Sequence, residues 1–172
     1  MNIAIVLFPE VEELDFAGPY EVFGIAAKEA WKDWRVFTVA QERTVRGYNG
    51  LSINVDHTFD DAPRADVIVV PGGWGTRAGM ENEALIGDLQ RAGAQAQWVT
   101  SVCTGAFLLH RAGFLQGRRA TTYWQQRPVL EAMGNITVEN NFDINPLGFY
   151  PAWDPSDTNQ TAPGVLVGGW LQ

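Results

Sequence analysis

Cys103 is the only cysteine of the chain, and its neighbours decide what it can do. It stands between the apolar run Val99–Val102 and a stretch, Gly105–Ala112, that reads as a helix. One thiol cannot close an intramolecular disulfide, so Cys103 is either a small buried hydrophobe or a reactive group. A strand that turns abruptly into a helix has the mechanics of a nucleophile elbow, where the sharp turn lifts a reactive side chain above the sheet. Gly105 is small enough to relieve crowding beside such a turn. The helix N-terminus would favour thiolate over thiol, and its N–H groups could hold a developing anion.

A nucleophile needs a proton carrier. Asp15, in VEELDFAGP, follows the first apolar run and precedes a helical stretch. It reads either as a helix N-cap or as a carboxyl group that shares a proton with the thiol, which would raise its own pKa. Glu12 and Glu13 are rivals whose expected place is a solvated loop. Pro71-Gly72-Gly73-Trp74-Gly75 is a loop whose glycines permit close approach of backbone N–H groups to a ligand. It is not a phosphate-binding P-loop, because the Gly-Lys-Ser/Thr ending is missing. The chain has two histidines, His57 and His110. Two turns of helix would carry His110 about 10 Å from Cys103, so a Cys-His dyad is not expected. One cysteine and two widely spaced histidines give no metal-ligand spacing, and neither a metal nor an organic cofactor is expected.

The elements that must position these residues follow from the apolar pattern. Ile3–Phe8 and Val67–Val70 are short continuous apolar runs, as expected of strands buried on both faces of a sheet. Trp34–Ala40 alternates as a second strand, and Thr44–Val55, broken by Gly47, Asn49 and Gly50, reads as a hairpin. Gln97–Val102 is a further strand, with short strands at Arg119–Thr122 and Ile136–Glu139. Helices are predicted from Pro19 to about Trp31, over 82–93, over Gly105–Ala112 and over Gln125–Met133. This alternation predicts an α/β fold: a flavodoxin-like, mostly parallel sheet with helices on both faces, plus a β-hairpin. Ligands of such sheets bind outside the carboxyl ends of the strands, where the loops 9–18, 71–77 and 103–105 fall. The expected organisation is one α/β domain over 1–139. Residues 140–172, with four prolines and no helical period, form an irregular C-terminal tail of the same domain or loosely packed on it.

Bulk properties narrow the partners. A chain of 172 residues with 46% hydrophobic residues has material for one real core. A net charge of −8 argues against an electrostatic grip on nucleic-acid phosphates. No apolar run reaches the roughly 18–20 residues of a membrane span. The opening MNIAIVLFPE reads as a strand rather than a secretion signal, and a lone cysteine suits a reducing compartment. A soluble cytoplasmic protein acting on a small molecule is expected.

Four segments in order, DFAGPYEVF (15–23), GLSINVDHTFDDAP (50–63), VVPGGWG (69–75) and SVCTGAFLLHRAGFLQGRRATTYW (101–124), resemble the ThiJ/PfpI superfamily, with its class I glutamine amidotransferase-like fold. Within it they are most similar to isonitrile hydratases and to the amidase-like sensor domains of AraC-type regulators. The resemblance covers roughly residues 1–139. It implies that Cys103 is the elbow nucleophile, that Asp15 is the acidic residue facing it, and that Thr104 belongs to the active site. Gly72, Gly73 and Trp74, with Gly105 beside the elbow, would line the substrate pocket. Many relatives carry histidine in place of Thr104, and often in place of Tyr123. Relatives continue into a glycine-rich turn and a long C-terminal helix, a pattern that residues 140–172 lack. Homodimers are common in the family, and Trp31, Phe107 or the tail could supply an apolar patch.

The implied activity is hydration of an isonitrile to an N-substituted formamide, with Cys103 attacking the terminal carbon while Asp15 handles the proton. A non-catalytic ligand-sensing module is the alternative from another class, although the acidic chain carries no helix-turn-helix pattern. Another cysteine chemistry, amidase- or glyoxalase-like, is the third reading, weakened by the Cys-Thr pair.

Overall fold

The computed structural model describes residues 1–139 and the backbone of the strand Gly164–Gly168. A central sheet holds six strands: β1 (Asn2–Val6), β2 (Arg35–Ala40), β5 (His57–Thr58), β6 (Val67–Val70), β7 (Trp98–Val102) and β10 (Gly164–Gly168). Their spatial order is β10-β7-β6-β1-β2-β5, and every neighbouring pair is parallel. The hairpin expected over Thr44–Val55 is present as β3 (Thr44–Arg46) and β4 (Ser52–Asn54), paired antiparallel. A small parallel pair, β8 (Arg119–Ala120) and β9 (Thr137–Val138), lies apart.

The apolar runs form the middle of the sheet because only strands covered on both faces can bury every side chain. Ile3–Val6 and all of β6 are buried accordingly. Helix α1 (Glu13–Glu29) packs on β1, β2 and β6, and α4 (Gly105–Arg111) packs on β6 and β7. Helix α3 (Glu83–Gly93) buries Leu85, Ile86 and Leu89, a helical spacing, and its N-cap Asn82 accepts from the Leu85 N–H at 3.0 Å. It flanks the sheet face of Ala4, Val6, Phe37, Val39 and Ile68. The short helices α2 (Thr76–Glu81) and α5 (Arg127–Ala132) complete the helical layer, α5 after a single 3₁₀ turn, Trp124–Gln126. No helix among the described residues is long and apolar enough to cross a membrane.

Several boundaries differ from the sequence expectation for physical reasons. Helix α1 begins at Glu13, and Pro19 lies inside it. A proline there lacks the N–H that would bond the Asp15 carbonyl, yet burial of Phe16 and packing on the sheet outweigh that loss. Helix α2 begins at the end of the expected 71–77 loop and runs on to Glu81, and β5 adds an edge strand where none was anticipated. Beyond residue 139 the described element is β10, which pairs with β7 from Gly164↔Trp98 to Gly168↔Val102. The remainder of the expected irregular tail lies outside the described residues.

Strand order reverses between β1 and β6, because the chain runs from β1 to β2 on one side and returns to place β6 on the other. Such a switch point opens a crevice at the carboxyl ends of the two strands. The segments leaving β1, β6 and neighbouring β7 carry Asp15, Gly72 and Cys103 respectively.

Candidate active site

Cys103 follows β7 directly and precedes α4, with φ 51°. A non-glycine residue in this left-handed region costs on the order of 1–2 kcal/mol, so the surrounding contacts must hold it there. Two are visible. The Thr122 hydroxyl donates to the Cys103 carbonyl at 2.8 Å, and Thr122 is fully buried. Gly105 lets α4 start against the end of β6, where a Cβ would fall 2.0 Å from the Val70 carbonyl oxygen. The elbow therefore depends on glycine at 105 through backbone contact.

Asp15 is the third residue of α1, and its side chain caps nothing in that helix. It crosses instead to the neighbouring loop, where Oδ2 accepts from the Gly72 N–H at 3.1 Å in a buried environment. The same carboxylate lies against the Cys103 side chain and is coupled to its thiol electrostatically. Burial pushes Asp15 up to about 6, opposed by the Gly72 N–H and reinforced by the charge of Glu12. Burial likewise pushes the Cys103 thiol up to about 11, with the Asp15 charge adding to it, while the N–H and hydroxyl of Thr104 lower it. The N–H at the start of the helix favours thiolate, as the sequence suggests, but burial and the facing charge outweigh it. Seven residues of α4 cannot offset desolvation and a facing carboxylate.

Gly72 and Gly73 form a fully bonded dipeptide. The Gly72 carbonyl accepts from the Glu12 N–H at 3.0 Å, and the Gly73 N–H donates to Thr104 Oγ1 at 3.1 Å. The N–H groups expected to face a ligand are therefore engaged by Asp15 and Thr104. Gly72 has no space for a side chain: a Cβ would lie 2.7 Å from Asp15 Oδ2 and 2.8 Å from Cys103 Cβ. Gly73 has φ +125°, a conformation open to glycine alone. Trp74 is 61% exposed, and the Arg77 guanidinium lies 4.8 Å from its ring centroid.

Residues 1–146 match the DJ-1/PfpI family. The chain belongs to the DJ-1/PfpI family. Within it, the chain is 40% identical over 144 residues to the isonitrile hydratase of Pseudomonas putida, covering 81% of this chain and 60% of that one. It is 30% identical over 126 residues to a deglycase of Pyrococcus horikoshii, covering 72% of each. Among solved structures, a ThiJ/PfpI family protein from Pseudomonas syringae superposes with a TM-score of 0.78 at 28% identity, covering 98% of this chain and 62% of that one. The chain thus spans about 60% of the length of the hydratase it matches.

In this DJ-1/PfpI chain the fold brings Asp15, Gly72, Gly73, Cys103 and Thr104 together, with Gly105 packed beneath the turn. Both histidines stand elsewhere. His110 is buried with Nε2 2.7 Å from the Gly134 carbonyl oxygen, and His57 lies edge-on to Phe37 at 5.3 Å. Glu13 accepts from the N–H and Nδ2 of Asn49, both at 2.8 Å. Tyr123 donates to Gln125 Oε1 at 3.2 Å. Phe107, at 1% exposure, is closed to any interface. Sequence reasoning missed Thr76, Arg77 and Thr122 as supports of the site. Their polar character gave no periodic signal, and the segments that carry them were visible only as parts of longer motifs.

Proposed function

We propose that the protein hydrates an isonitrile to an N-substituted formamide, with Cys103 as nucleophile and Asp15 as the general acid/base. The observation that carries this reading is the juxtaposed Asp15–Cys103 pair beside Gly72 at the strand switch point, both groups pushed up by burial. Near neutral pH the thiol holds its proton and Asp15 is ionised. As sulfur attacks the terminal carbon of R–N≡C, Asp15 takes the thiol proton and delivers it to that carbon, giving the thioimidate R–N=CH–S–Cys103. Water then adds across C=N, its hydroxyl to carbon and its hydrogen to nitrogen, with Asp15 relaying the proton. The tetrahedral species expels sulfur, the hydroxyl proton returns through Asp15 to Cys103, and R–NH–CHO leaves. Thr104, whose N–H and hydroxyl both favour the thiolate, stabilises the leaving sulfur.

The 40% identity to a named hydratase over 144 residues supports this chemistry ahead of other cysteine reactions. The protein acts as a cytoplasmic homodimer in this reading, since its single free thiol suits a reducing compartment and α1 exposes Leu14, Val22 and Ile25. The test is loss of the isonitrile triple-bond stretch in the infrared, with the formamide identified by mass. Wild type consuming a simple isonitrile no faster than Cys103→Ala would reject the reading.

A further inference from the structure

We infer that Thr122 is a positioning residue through which the β8–β9 ribbon holds the Cys103 elbow in its left-handed form and keeps that side chain beside Asp15. Cys103 has φ 51°, a form that a residue with a Cβ leaves unless a contact holds it. Its carbonyl takes no part in starting α4, because the Phe107 N–H donates to the Thr104 carbonyl instead, at 3.0 Å. Among the described residues, the donor to the Cys103 carbonyl is the Thr122 hydroxyl, at 2.8 Å. The peptide group is planar, so fixing that oxygen fixes the whole Cys103–Thr104 unit. Left-handed strain at one residue and one hydrogen bond to a carbonyl are of similar size. The Thr122 bond is therefore large enough to decide which form the elbow takes.

Thr122 is mounted independently of β7 and α4. The chain before it is stitched to residues 135–139. The Gly117 N–H donates to the Asn135 carbonyl at 2.7 Å, and the Thr137 N–H to the Arg118 carbonyl at 2.9 Å. The Glu139 N–H donates to the Ala120 carbonyl at 2.9 Å, and the Thr121 hydroxyl to the Glu139 carbonyl at 3.3 Å. Arg119 Nε reaches Glu139 Oε1 at 2.6 Å. Beyond Thr122, Gln126 Oε1 accepts from Arg77 Nη2 at 3.1 Å. Thr122 itself is fully buried, so its hydroxyl is held at a set point to which the elbow conforms. The effect on the site shows beside Gly72, where a Cβ would lie 2.7 Å from Asp15 Oδ2 and 2.8 Å from Cys103 Cβ. Return of Cys103 to right-handed backbone would swing its Cβ away from the acid.

The inference deepens the reading of this site as catalytic, but its main readout uses neither isonitrile nor Asp15, so the two fail separately. Isotopically labelled cysteine marks one residue of the chain, and its amide coupling and Cα shift report the Cys103 backbone by nuclear magnetic resonance. Thr122→Val keeps the shape and loses the hydroxyl, while Thr122→Ser keeps the hydroxyl. Thr122→Val is expected to move the Cys103 signals away from left-handed values or split them between two forms, and Thr122→Ser to leave them in place. Unchanged signals in Thr122→Val would overturn the inference. So would an equal change in Thr122→Ser, since the hydroxyl would then not be the agent. Thiol exchange with the neutral disulfide dithiodipyridine gives a second readout. The Asp15 charge holds the thiol proton, so Asp15→Asn should speed exchange about threefold at pH 8. In the Thr122→Val background that acceleration should vanish, and equal acceleration in both backgrounds would also overturn the inference. No acceleration in wild type would count against the Asp15 reading, while the cysteine signals still decide for Thr122. Near-ultraviolet circular dichroism confirms each fold, and Thr122→Ala, judged by the same outcomes, replaces Thr122→Val should the latter not fold.

Discussion

Asp15 and Cys103 meet beside Gly72, whose N–H donates to Asp15 Oδ2 at 3.1 Å and whose missing Cβ would lie 2.7 Å from that oxygen and 2.8 Å from Cys103 Cβ. The pair is therefore set by a backbone group with no room for a side chain; burial holds both protons high, and the Asp15 charge adds to the rise at Cys103.

Activity should have an acid limb near pH 6. Asp15 must be ionised to accept the thiol proton, and burial pushes it up to about 6. Below that pH the isonitrile turnover, measured as kcat/KM, should fall about tenfold per unit. Asp15→Asn should lose about 10²-fold or more and show no such limb. A wild-type profile flat down to pH 4.5 would remove Asp15 from the reaction.

Stability should move against the usual carboxylate trend. With its pKa raised from 3.8 to about 6, the folded protein holds a proton at Asp15 that the unfolded chain releases between these values. Stability contributed by the neutral form is present below about pH 4 and is lost as pH rises through 6. Cys103 does the same between 9.0 and about 11. The cost of the buried Asp15 charge at pH 7.5 is on the order of 2–3 kcal/mol. Asp15→Asn keeps an oxygen for the Gly72 N–H and should raise Tm at pH 7.5, with a smaller gain at pH 4.5, as followed by denaturant and thermal unfolding. A lowered Tm at pH 7.5 would contradict this account.

Gly105→Ala should destabilise the fold by about 3 kcal/mol or more, because the added carbon would lie 2.0 Å from a backbone oxygen of β6. Urea unfolding monitored through tryptophan fluorescence measures it. A loss under 1 kcal/mol would mean that α4 can shift away from β6 without disturbing the elbow.

Sedimentation velocity should find a dimer that Val22→Glu/Ile25→Glu converts to monomers. These residues are 57% and 46% exposed on one face of α1, with Leu14 at 62%. A wild-type monomer at high concentration would exclude the pairing.

The sheet and the elbow were legible because burial on both faces leaves a plain mark: Ile3–Phe8 and Val67–Val70 are unbroken apolar runs, and Val99–Val102 leads straight to a cysteine and a glycine. Asp15 was legible as a candidate, but its competing role as a cap was not separable from it, since both place an acid at a helix start. Only the fold shows its carboxylate turned away from α1 to Gly72. The thiol's pKa was misread because a helix end is a local feature, whereas desolvation and the facing charge come from residues far along the chain. Arg77 and Thr122 act through carbonyl oxygens, and no side-chain pattern in a sequence records which carbonyl will need a donor.

The raised thiol pKa also makes Cys103 a sentinel of the native state. An unfolded chain has its thiol near 9.0, while the native one sits at about 11, so folding depletes thiolate roughly a hundredfold at neutral pH. General alkylating agents and oxidants react through thiolate, and so they modify the unfolded fraction first. Native molecules keep their sulfur in reserve for a reactant that enters beside Asp15, where the proton acceptor already waits.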